Sequence, residues 1–376
     1  MKIALINSGF RGIRQASIAL ALRLIENGMQ VLYCSPQDLE EELKAYELPF
    51  VRVDDYPYEL SGPLAGNGPD FSLEDLLNRR SLVQQMSNLE VDECWIDIEL
   101  HEVILAAIEA GQEVRGLTQW FENRPNNRVP NIQSLNLPSG NSPIKRLELA
   151  LRWKKRRWQI ARVDRAEDRS GSKGRRQELL NWMKEIDFQE QQLIRSWFPP
   201  LWSYCSLPIY SLALPEMDFP GNSYPNIYTL GPQISQDSTE EQHESIAIAR
   251  SAQQAGQQVV YAVQSSMTSA EKSPYLTTLL AWVSENPNFC LIYSEAGHIR
   301  NGSARIEDRV HCFDWVPQKE LLAYTDLCVN HGGIHTVHEC IWHQVPMLIF
   351  PGGQHDQNGV AARAAFHQIA YIEKND

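Results

Sequence analysis

A strand–helix–strand unit opens the chain and limits what it can fold into more than any other feature. KIALINSG, residues 2–9, is apolar and ends in glycine, as a buried strand and its turn do. RQASIALALRLIENG, residues 14–28, has helical spacing, and QVLYCSP, residues 30–36, predicts the next strand. Because parallel strands need such a helical crossover, this unit predicts a parallel α/β sheet.

The same rhythm restarts in the second half of the chain. QQVVYAVQSS at residues 257–266 predicts a strand, SPYLTTLLAWVSEN at 273–286 a helix, and NFCLIYSE at 288–295 another strand. Two such series predict two sheet domains that face each other across a cleft.

A chain of 376 residues is too long for one average domain. Turn formers and an acidic run predict a linker at residues 233–246. We therefore expect domains at 1–232 and 247–376, the first with a mainly helical insertion at about 142–200.

Composition excludes several classes of protein. Hydrophobic residues make up 43% and charged residues 22%, as in soluble globular proteins. The start MKIALINSGF has too short an apolar run for a signal peptide, and no stretch reaches the roughly 20 apolar residues of a membrane span. Seven scattered cysteines without CxxC pairs predict reduced thiols and a cytoplasmic protein.

The formal charge of −13 is unevenly distributed. Residues 145–176 carry thirteen Lys or Arg and four Asp or Glu, a balance of +9 that leaves −22 for the rest. An acidic body with one basic segment does not indicate a nucleic-acid-binding protein. Trp153 and Trp158 among the cations are typical of a helix lying on an anionic membrane. The alternative is a solvated helix that packs its aromatic residues on its own domain.

TDLCVNHGGIHTVHECIW, residues 325–342, predicts a strand, a glycine turn and a helix. Gly332 and Gly333 let the backbone turn sharply and approach a ligand. Free N–H groups and the helix dipole then favour an anion such as phosphate, with hydrogen bonds from His331 and Thr336. An ordinary strand-to-helix turn is the alternative.

Thr336 and Glu339 have the spacing of a capping box, and this interpretation stands beside ligand binding. The histidines of the segment do not have zinc-ligand spacing. His338 and His343 lie about 140° apart on a helix, and His335 with His338 lacks a third ligand. After the strand VPMLIFP, Asp356 and Gln357 suit a polyhydroxylated ligand, or else a turn.

Taken in order, FDWVPQKELL, VNHGGIHTVHE, VPMLIFP and DQ resemble the donor-binding signature of the UDP-glycosyltransferase superfamily. The resemblance is strong over residues 313–363. It implies the GT-B fold, in which two Rossmann-like α/β domains face each other across a cleft. It also implies inverting sugar transfer from a nucleotide sugar, with UDP-glucose the expected donor and no metal or other cofactor.

The resemblance assigns roles by position. Trp315 would stack on the uracil, with the Val316 backbone at its edge and Gln318 near the ribose. Glu339 would accept from the ribose hydroxyls, and Asp356 with Gln357 would hold the sugar. The diphosphate would lie near the following residues: Ser266, His331, Gly332, Gly333, His335 and Thr336.

This chain departs from the family pattern at several positions. Gln344 replaces the glycine usual before Val-Pro, and Val360 stands where an asparagine commonly follows the Asp-Gln pair. Ser265 precedes Ser266 where glycine is usual.

The family's proton acceptor is also missing. NSGFRGIRQASIALAL resembles the turn that carries it, and the aligned position is Ile13, flanked by Arg11 and Arg14. The arginines indicate either an anionic acceptor or a solvated turn. Asp97 matches the acidic residue that supports the base in the family, and His101 follows it. We take Asp97 and His101 as candidate catalytic residues, with a surface position at a helix start as the alternative for His101.

Three hypotheses follow from these residues. The first is a glycosyltransferase that moves a hexose to a hydroxyl of a small lipophilic acceptor. The second is a relic that binds UDP-sugar as a partner subunit, since Ile13 cannot take a proton. The third is a sugar-nucleotide epimerase, a class without the arrangement of Trp315 and Gln318. The sequence ends soon after the Asp-Gln helix, which indicates a truncated chain or a less firmly clamped domain pair.

Overall fold

The computed structural model describes residues 1–8, 11–53, 73–170, 175–188, 193–195, 202–234, 243–263, 274–294, 303–307, 309–352 and 356–372. The chain divides into two compact units. Unit 1 contains Met1–Asn131 and Pro138–Ser235, and unit 2 contains Ile132–Leu137 and Gln236–Asp376. A short piece from the first half of the chain therefore belongs to unit 2.

Unit 1 is built on a parallel sheet. Its strands run in the order β3-β2-β1-β4-β5-β8-β9, and a separate antiparallel pair is formed by β6 and β7. The strands are β1 Lys2–Ile6, β2 Gln30–Ser35, β3 Phe50–Arg52, β4 Glu93–Asp97, β5 Val114–Thr118, β6 Leu193–Arg195, β7 Trp202–Tyr204, β8 Ile209–Ser211 and β9 Ile227–Thr229. The strand order reverses between β1 and β4, and open α/β sheets bind ligands at such a point.

The helices of unit 1 follow the crossovers that the sequence predicts. They are α1 Arg11–Glu26, α2 Glu40–Lys44, α3 Leu73–Ser87, α4 His101–Glu109, α5 Pro143–Ser170 and α6 Arg175–Glu185. Alternate residues of β1 and β4 point into two separate apolar clusters, one on each face of the sheet. The polar residues Asn7, Ser8 and Asp97 are buried where these two strands end.

Unit 2 repeats the design. Its sheet has the order β12-β13-β11-β10-β14-β15-β16, with β12 antiparallel and the other pairs parallel. Its elements are α7 Glu244–Gln254, β10 Gln258–Val263, α8 Pro274–Glu285, β11 Phe289–Ser294, β12 Ser303–Glu307, β13 Val310–Phe313, α9 Gln318–Leu322, β14 Leu327–Asn330, α10 Ile334–Trp342, β15 Met347–Ile349, α11 Gln357–Phe366 and β16 Ala370–Ile372. Here the order reverses between β10 and β14, directly before the His-Gly-Gly turn.

None of the helices in the described parts of the chain is long and apolar enough to cross a membrane.

Gln344, which stands where the resemblance predicts glycine, ends α10 in a left-handed conformation with φ of 57°. The N–H of Gln344 donates to the Ile341 carbonyl at 3.1 Å, and the N–H of Val345 donates to the Cys340 carbonyl at 2.8 Å. Glycine is the usual residue at this point of a helix because it has no Cβ to crowd the following carbonyl. The presence of Gln344 instead of glycine therefore introduces backbone strain at the end of α10.

We expect Gln344→Gly to raise the free energy of unfolding by about 0.5–1 kcal/mol, because relief of the left-handed strain exceeds the entropy gained by the unfolded chain. Urea unfolding of the purified protein measures the change. Gln84→Gly, in the regular helix α3, is the matched control and should lower stability by about 1 kcal/mol. Equal destabilisation by both substitutions would contradict the prediction.

Candidate functional site

The turn after β14 is fixed by a glycine and by the start of α11. Gly332 has φ of 83°, and its N–H donates to Oδ1 of the buried Asn330 at 2.8 Å. A Cβ at Gly332 would lie 2.9 Å from the Gln357 carbonyl oxygen. Both the left-handed backbone and this close approach require glycine, so the turn and the start of α11 lie directly against each other.

Helix α10 begins at Ile334 with Gly333 as its N-cap, and no side chain caps it. The capping-box interpretation is therefore wrong: Thr336 is the third helical residue and Glu339 bonds elsewhere. The first N–H groups of a helix have no acceptor within the helix, and its dipole makes this end positive. The start of α10 therefore has the properties of an anion site.

Gln318, at the start of α9, brings together two other predicted residues, Thr336 and Glu339. Its Nε2 donates to Thr336 Oγ1 at 3.3 Å and to the Glu339 carboxylate. Its Oε1 accepts from the Tyr261 hydroxyl at 3.0 Å. Sequence reasoning missed Tyr261, because only the pairing of β10 with β14 places this residue of β10 beside Gln318. The network orients the Glu339 carboxylate beside the first turn of α10.

Trp315 is half-buried and packs edge-to-face on His243, with ring centroids 5.6 Å apart at 88°. The His243 ring also contacts Phe313, and its Nδ1 accepts from the N–H of Ser245 as the cap of α7. Val316 is buried. His243 is a second residue that sequence reasoning missed, since it lies within the stretch predicted as a linker. The indole is thus fixed by a ring from another helix.

Burial keeps the histidines of this region uncharged. Burial lowers the pKa of His331 to about 4, against a smaller opposing contribution from the Val263 backbone. It also lowers the pKa of His335 to about 4 and, helped by the nearby His335, that of His338 to about 3. At neutral pH these rings therefore offer hydrogen bonds rather than charge. Among the described residues, no group of three or more His, Cys, Asp or Glu side chains is arranged to hold a metal ion.

Two buried polar atoms border the turn. Nδ1 of His331 and Oε1 of Gln357 have no hydrogen-bond partner within the described residues. A Cβ at Gly352 would lie 2.9 Å from this Gln357 oxygen, and the adjacent Asp356 is the N-cap of α11 without a side-chain capping bond. Buried polar atoms are almost always satisfied, so these two atoms are available to bond a ligand.

Asn358, two residues before the position where the resemblance predicts an asparagine, contacts a segment from the first half of the chain. Its Nδ2 donates to the Gln133 carbonyl at 3.1 Å, within unit 2. A Cβ at Gly359 would lie only 2.0 Å from the Ile132 carbonyl oxygen. The first turn of α11 thus holds the main chain of segment 132–137.

Asp97 ends β4 in unit 1 and is buried beside Ser8. Its Oδ1 accepts from the Glu99 N–H at 3.1 Å, and Ser8 adds further hydrogen bonds. Burial, and then the negative charge of Glu99, raises the pKa of Asp97 to about 7. This carboxyl group therefore exchanges protons near neutral pH, at the point where the strand order reverses.

The other candidates of unit 1 are placed differently. His101 is buried, with Nδ1 2.5 Å from the Tyr204 hydroxyl and its ring edge-on to Trp202, so the surface position considered for it is wrong. This aromatic setting favours a structural role. Ile13 is 1% exposed within an apolar cluster, and Arg14 pairs with Glu42 at 3.3 Å. Ser266 and the side chain of Arg11 lie outside the described residues.

Comparison with known proteins agrees with this architecture. Residues 215–373 match the family described as "UDP-glucoronosyl and UDP-glucosyl transferase". A UDP-glucuronosyltransferase of Pleuronectes platessa is 52% identical over 44 residues, 11% of this chain and 9% of the relative. The human UDP-glucuronosyltransferase 2A1 is 38% identical over 50 residues, 13% of this chain and 10% of the relative. The matched stretches thus span about a tenth of these curated relatives.

Solved structures extend the likeness to the whole fold. The glycotransferase of kitacinnamycin has a TM-score of 0.66 at 16% identity, over 99% of this chain and 86% of its own. SnogD from Streptomyces nogalater has a TM-score of 0.58 at 14% identity, over 100% and 87%. VinC, solved in complex with dTDP, has a TM-score of 0.59 at 16% identity, over 100% and 87%. The α/β GT-B fold with two Rossmann-like domains is confirmed, as is the resemblance to the superfamily.

The depressed pKa of His338 makes stability depend on pH. Between pH about 6.5 and about 3 the unfolded chain binds a proton at this residue and the folded chain does not. The free energy of unfolding should therefore fall with decreasing pH, and His338 should contribute about 1.4 kcal/mol per pH unit to that slope. We expect His338→Gln and His338→Phe to lose this contribution alike, although their stabilities at pH 7.5 differ. Urea unfolding from pH 7.5 to 4.5 measures the slope, and an unchanged slope in both variants would refute the assignment.

Proposed function

We propose that this chain, whose residues 215–373 match the UDP-glycosyltransferase family, is an inverting glycosyltransferase that moves a hexose from a UDP-sugar to a hydroxyl group. The observation that carries the proposal is the start of α10, which no side chain caps and which lies beside the network of Gln318 and Glu339. Glucose is the sugar we propose, and a small lipophilic alcohol is the acceptor. The family description, which includes glucosyl transfer, supports the first choice.

The donor would bind on unit 2. The Trp315 indole, fixed by His243, offers a flat face for the uracil, and the buried Val316 backbone lies next to it. Glu339 would release Gln318 and accept from the ribose hydroxyls. A carboxylate accepts but does not donate, so it suits a diol.

The diphosphate would lie at the start of α10. Its charge is met by the N–H groups and dipole of the helix, with hydrogen bonds from the neutral His331 and His335. The same groups stabilise the negative charge that develops on the departing UDP, so the proposal needs no metal ion. The Gln357 amide and the Asp356 carboxylate, at the start of α11, would bind the sugar hydroxyls.

The acceptor would bind on unit 1, and Asp97 would take its proton. A base with a pKa near the working pH is effective, because it is largely ionised and still has a useful affinity for the proton. The oxygen then attacks the anomeric carbon as the bond to UDP breaks, and the configuration inverts. Glu99 would raise the basicity of Asp97 through its charge.

Ile13 favours a second candidate function. The resemblance aligns this side chain with the family's base, and the side chain is part of the apolar core. A chain that binds UDP-sugar without transferring it, as a partner subunit, would have this property.

The environment we propose is the cytoplasm. All seven cysteines are free thiols, and six of them are buried. Free thiols are typical of a reducing compartment. The basic segment 145–176 supports a peripheral contact with a membrane, which would bring the chain to lipophilic acceptors.

Glu339 should set the choice between UDP and dTDP, the nucleotide with which VinC was solved. We expect wild-type protein to bind UDP more tightly, because dTDP lacks the ribose 2′-hydroxyl. Glu339→Gln should reduce the ratio of the dTDP dissociation constant to the UDP dissociation constant about tenfold. This is the effect expected for the loss of a hydrogen bond to a charged group. Isothermal calorimetry measures both constants. Trp315→Ala is the control: it should weaken both nucleotides alike and leave the ratio unchanged. A ratio that does not respond to Glu339→Gln would remove Glu339 from the ribose site.

Asp97→Asn should reduce kcat by about 10²–10⁴ while the affinity for UDP stays unchanged. The wild-type rate should fall as the pH drops below about 7, because protonation of Asp97 removes the base. The variant should lose this dependence. His101→Gln is the matched comparison and should keep kcat within about tenfold despite lower stability. Sugar transfer to a panel of lipophilic alcohols provides the measurement. UDP binding without transfer by the wild-type protein would favour the partner-subunit function instead.

A further inference from the structure

Helix α5, Pro143–Ser170, has two apolar faces rather than one. Leu149, Trp153 and Ile160 are at most 7% exposed, and the Trp153 indole donates to the Val129 carbonyl at 2.8 Å. These three residues fix the helix to unit 1. The sequence-based alternative, aromatic residues packing on their own domain, is therefore correct for Trp153.

The second face is exposed. Its members are Ile144, Leu147, Leu151 and Trp158, which are 79%, 63%, 57% and 57% exposed. At 100° per residue around the helix axis, these four side chains lie within about 60° of one another. The buried face of Leu149, Trp153 and Ile160 lies about 170° away around the same axis. Along the axis they extend over about 21 Å. We name this set of four residues the outer face of α5.

Cations border the outer face. Lys154 and Lys155 are exposed about 50° to either side of it, and Arg162 and Arg165 continue it after Trp158. Arg162 lies over the Trp158 ring, with its guanidinium carbon 5.8 Å from the centroid. Within the described residues, neither Lys154 nor Lys155 takes part in an ion pair. Of the acidic side chains described on the helix, Glu148 pairs with Arg152 and Asp164 with Arg176.

We propose that the outer face of α5 binds the surface of a membrane that contains anionic lipid. The four apolar side chains would enter the region between headgroups and acyl chains, and the bordering lysines and arginines would contact lipid phosphates. Tryptophan is at home at this depth because its ring is apolar and its N–H is polar. The binding does not require the transferase activity proposed above.

The size of the outer face argues against a second copy of the chain as its occupant. Four such side chains expose on the order of 500 Å², whereas a standard protein interface buries about 800 Å² on each partner. An apolar stripe of this size bordered by positive charge is instead typical of an interfacial helix.

Co-sedimentation of the full chain with vesicles tests the proposal. One set contains phosphatidylcholine alone, and the other contains phosphatidylcholine with about one third phosphatidylglycerol. We expect at least tenfold stronger binding to the anionic vesicles, weakened at high salt. Leu147→Ser with Leu151→Ser, and separately Lys154→Glu with Lys155→Glu, should each reduce it more than tenfold.

Matched controls separate the outer face from general effects. Tyr371, 84% exposed in unit 2, serves as the apolar control through Tyr371→Ser, and Lys184→Glu on α6 as the charge control; both should bind vesicles like wild type. All variants should keep the wild-type midpoint of urea unfolding, which shows that they fold. Brominated lipid should quench the fluorescence of wild-type protein more than that of Trp158→Phe.

Several outcomes would overturn the proposal. They are equal binding to both vesicle types, no binding to either, or unchanged binding by both double variants. A doubled mass in sedimentation equilibrium that Leu147→Ser with Leu151→Ser abolishes would assign the outer face to self-association instead.

Discussion

Everything proposed for unit 2 depends on the contact between Gly332 and the Gln357 carbonyl. The left-handed turn at Gly332 ends β14 abruptly and aims the next residues into α10. Because the carbonyl passes within reach of any Cβ at this position, the starts of α10 and α11 are held together. In the function we propose, one helix start would face a diphosphate and the other a sugar. Neither helix could take this position beside a larger side chain, so both proposed sites depend on one backbone constraint.

The hydrogen bonds around this turn are arranged so that a ligand can replace some of them, rather than for maximum stability of the fold. Gln318 donates to the Glu339 carboxylate, and in our proposal a ribose diol would replace this donor without leaving the carboxylate desolvated and unbonded. His331 and Gln357 each retain a buried polar atom without a bond in the described structure, and the buried histidines stay neutral at a cost in acid stability. Gln344 adds backbone strain at the far end of the same helix. Sites that bind ligands commonly carry such costs, because groups satisfied only by the ligand cannot also be satisfied by the fold.

In unit 1, the residue that the resemblance aligns with the family's base is Ile13, and its side chain is buried in the apolar core. What the unit keeps is a carboxyl group, Asp97, buried where the strand order reverses and made basic by burial and by Glu99. The chemistry we propose thus relies on the support residue of the family's pair. Helix α5 adds a separate property: its buried face anchors it, and its outer face provides apolar and basic side chains that the core does not use.

The sequence by itself determined the α/β class and the strand and glycine turn before α10, and it supplied the residues of unit 2 that we propose for the donor site. These follow from local patterns: apolar periodicity, glycine positions and the order of a signature. Tertiary structure alone decided that Glu339 bonds Gln318 and not its own helix start, that His101 lies in an aromatic core, and that Tyr261 and His243 contact the candidate residues Gln318 and Trp315. It also decided which of the apolar residues of α5 are covered. Each of these depends on which strands and helices become neighbours, and neighbours distant in the chain leave no trace in local spacing.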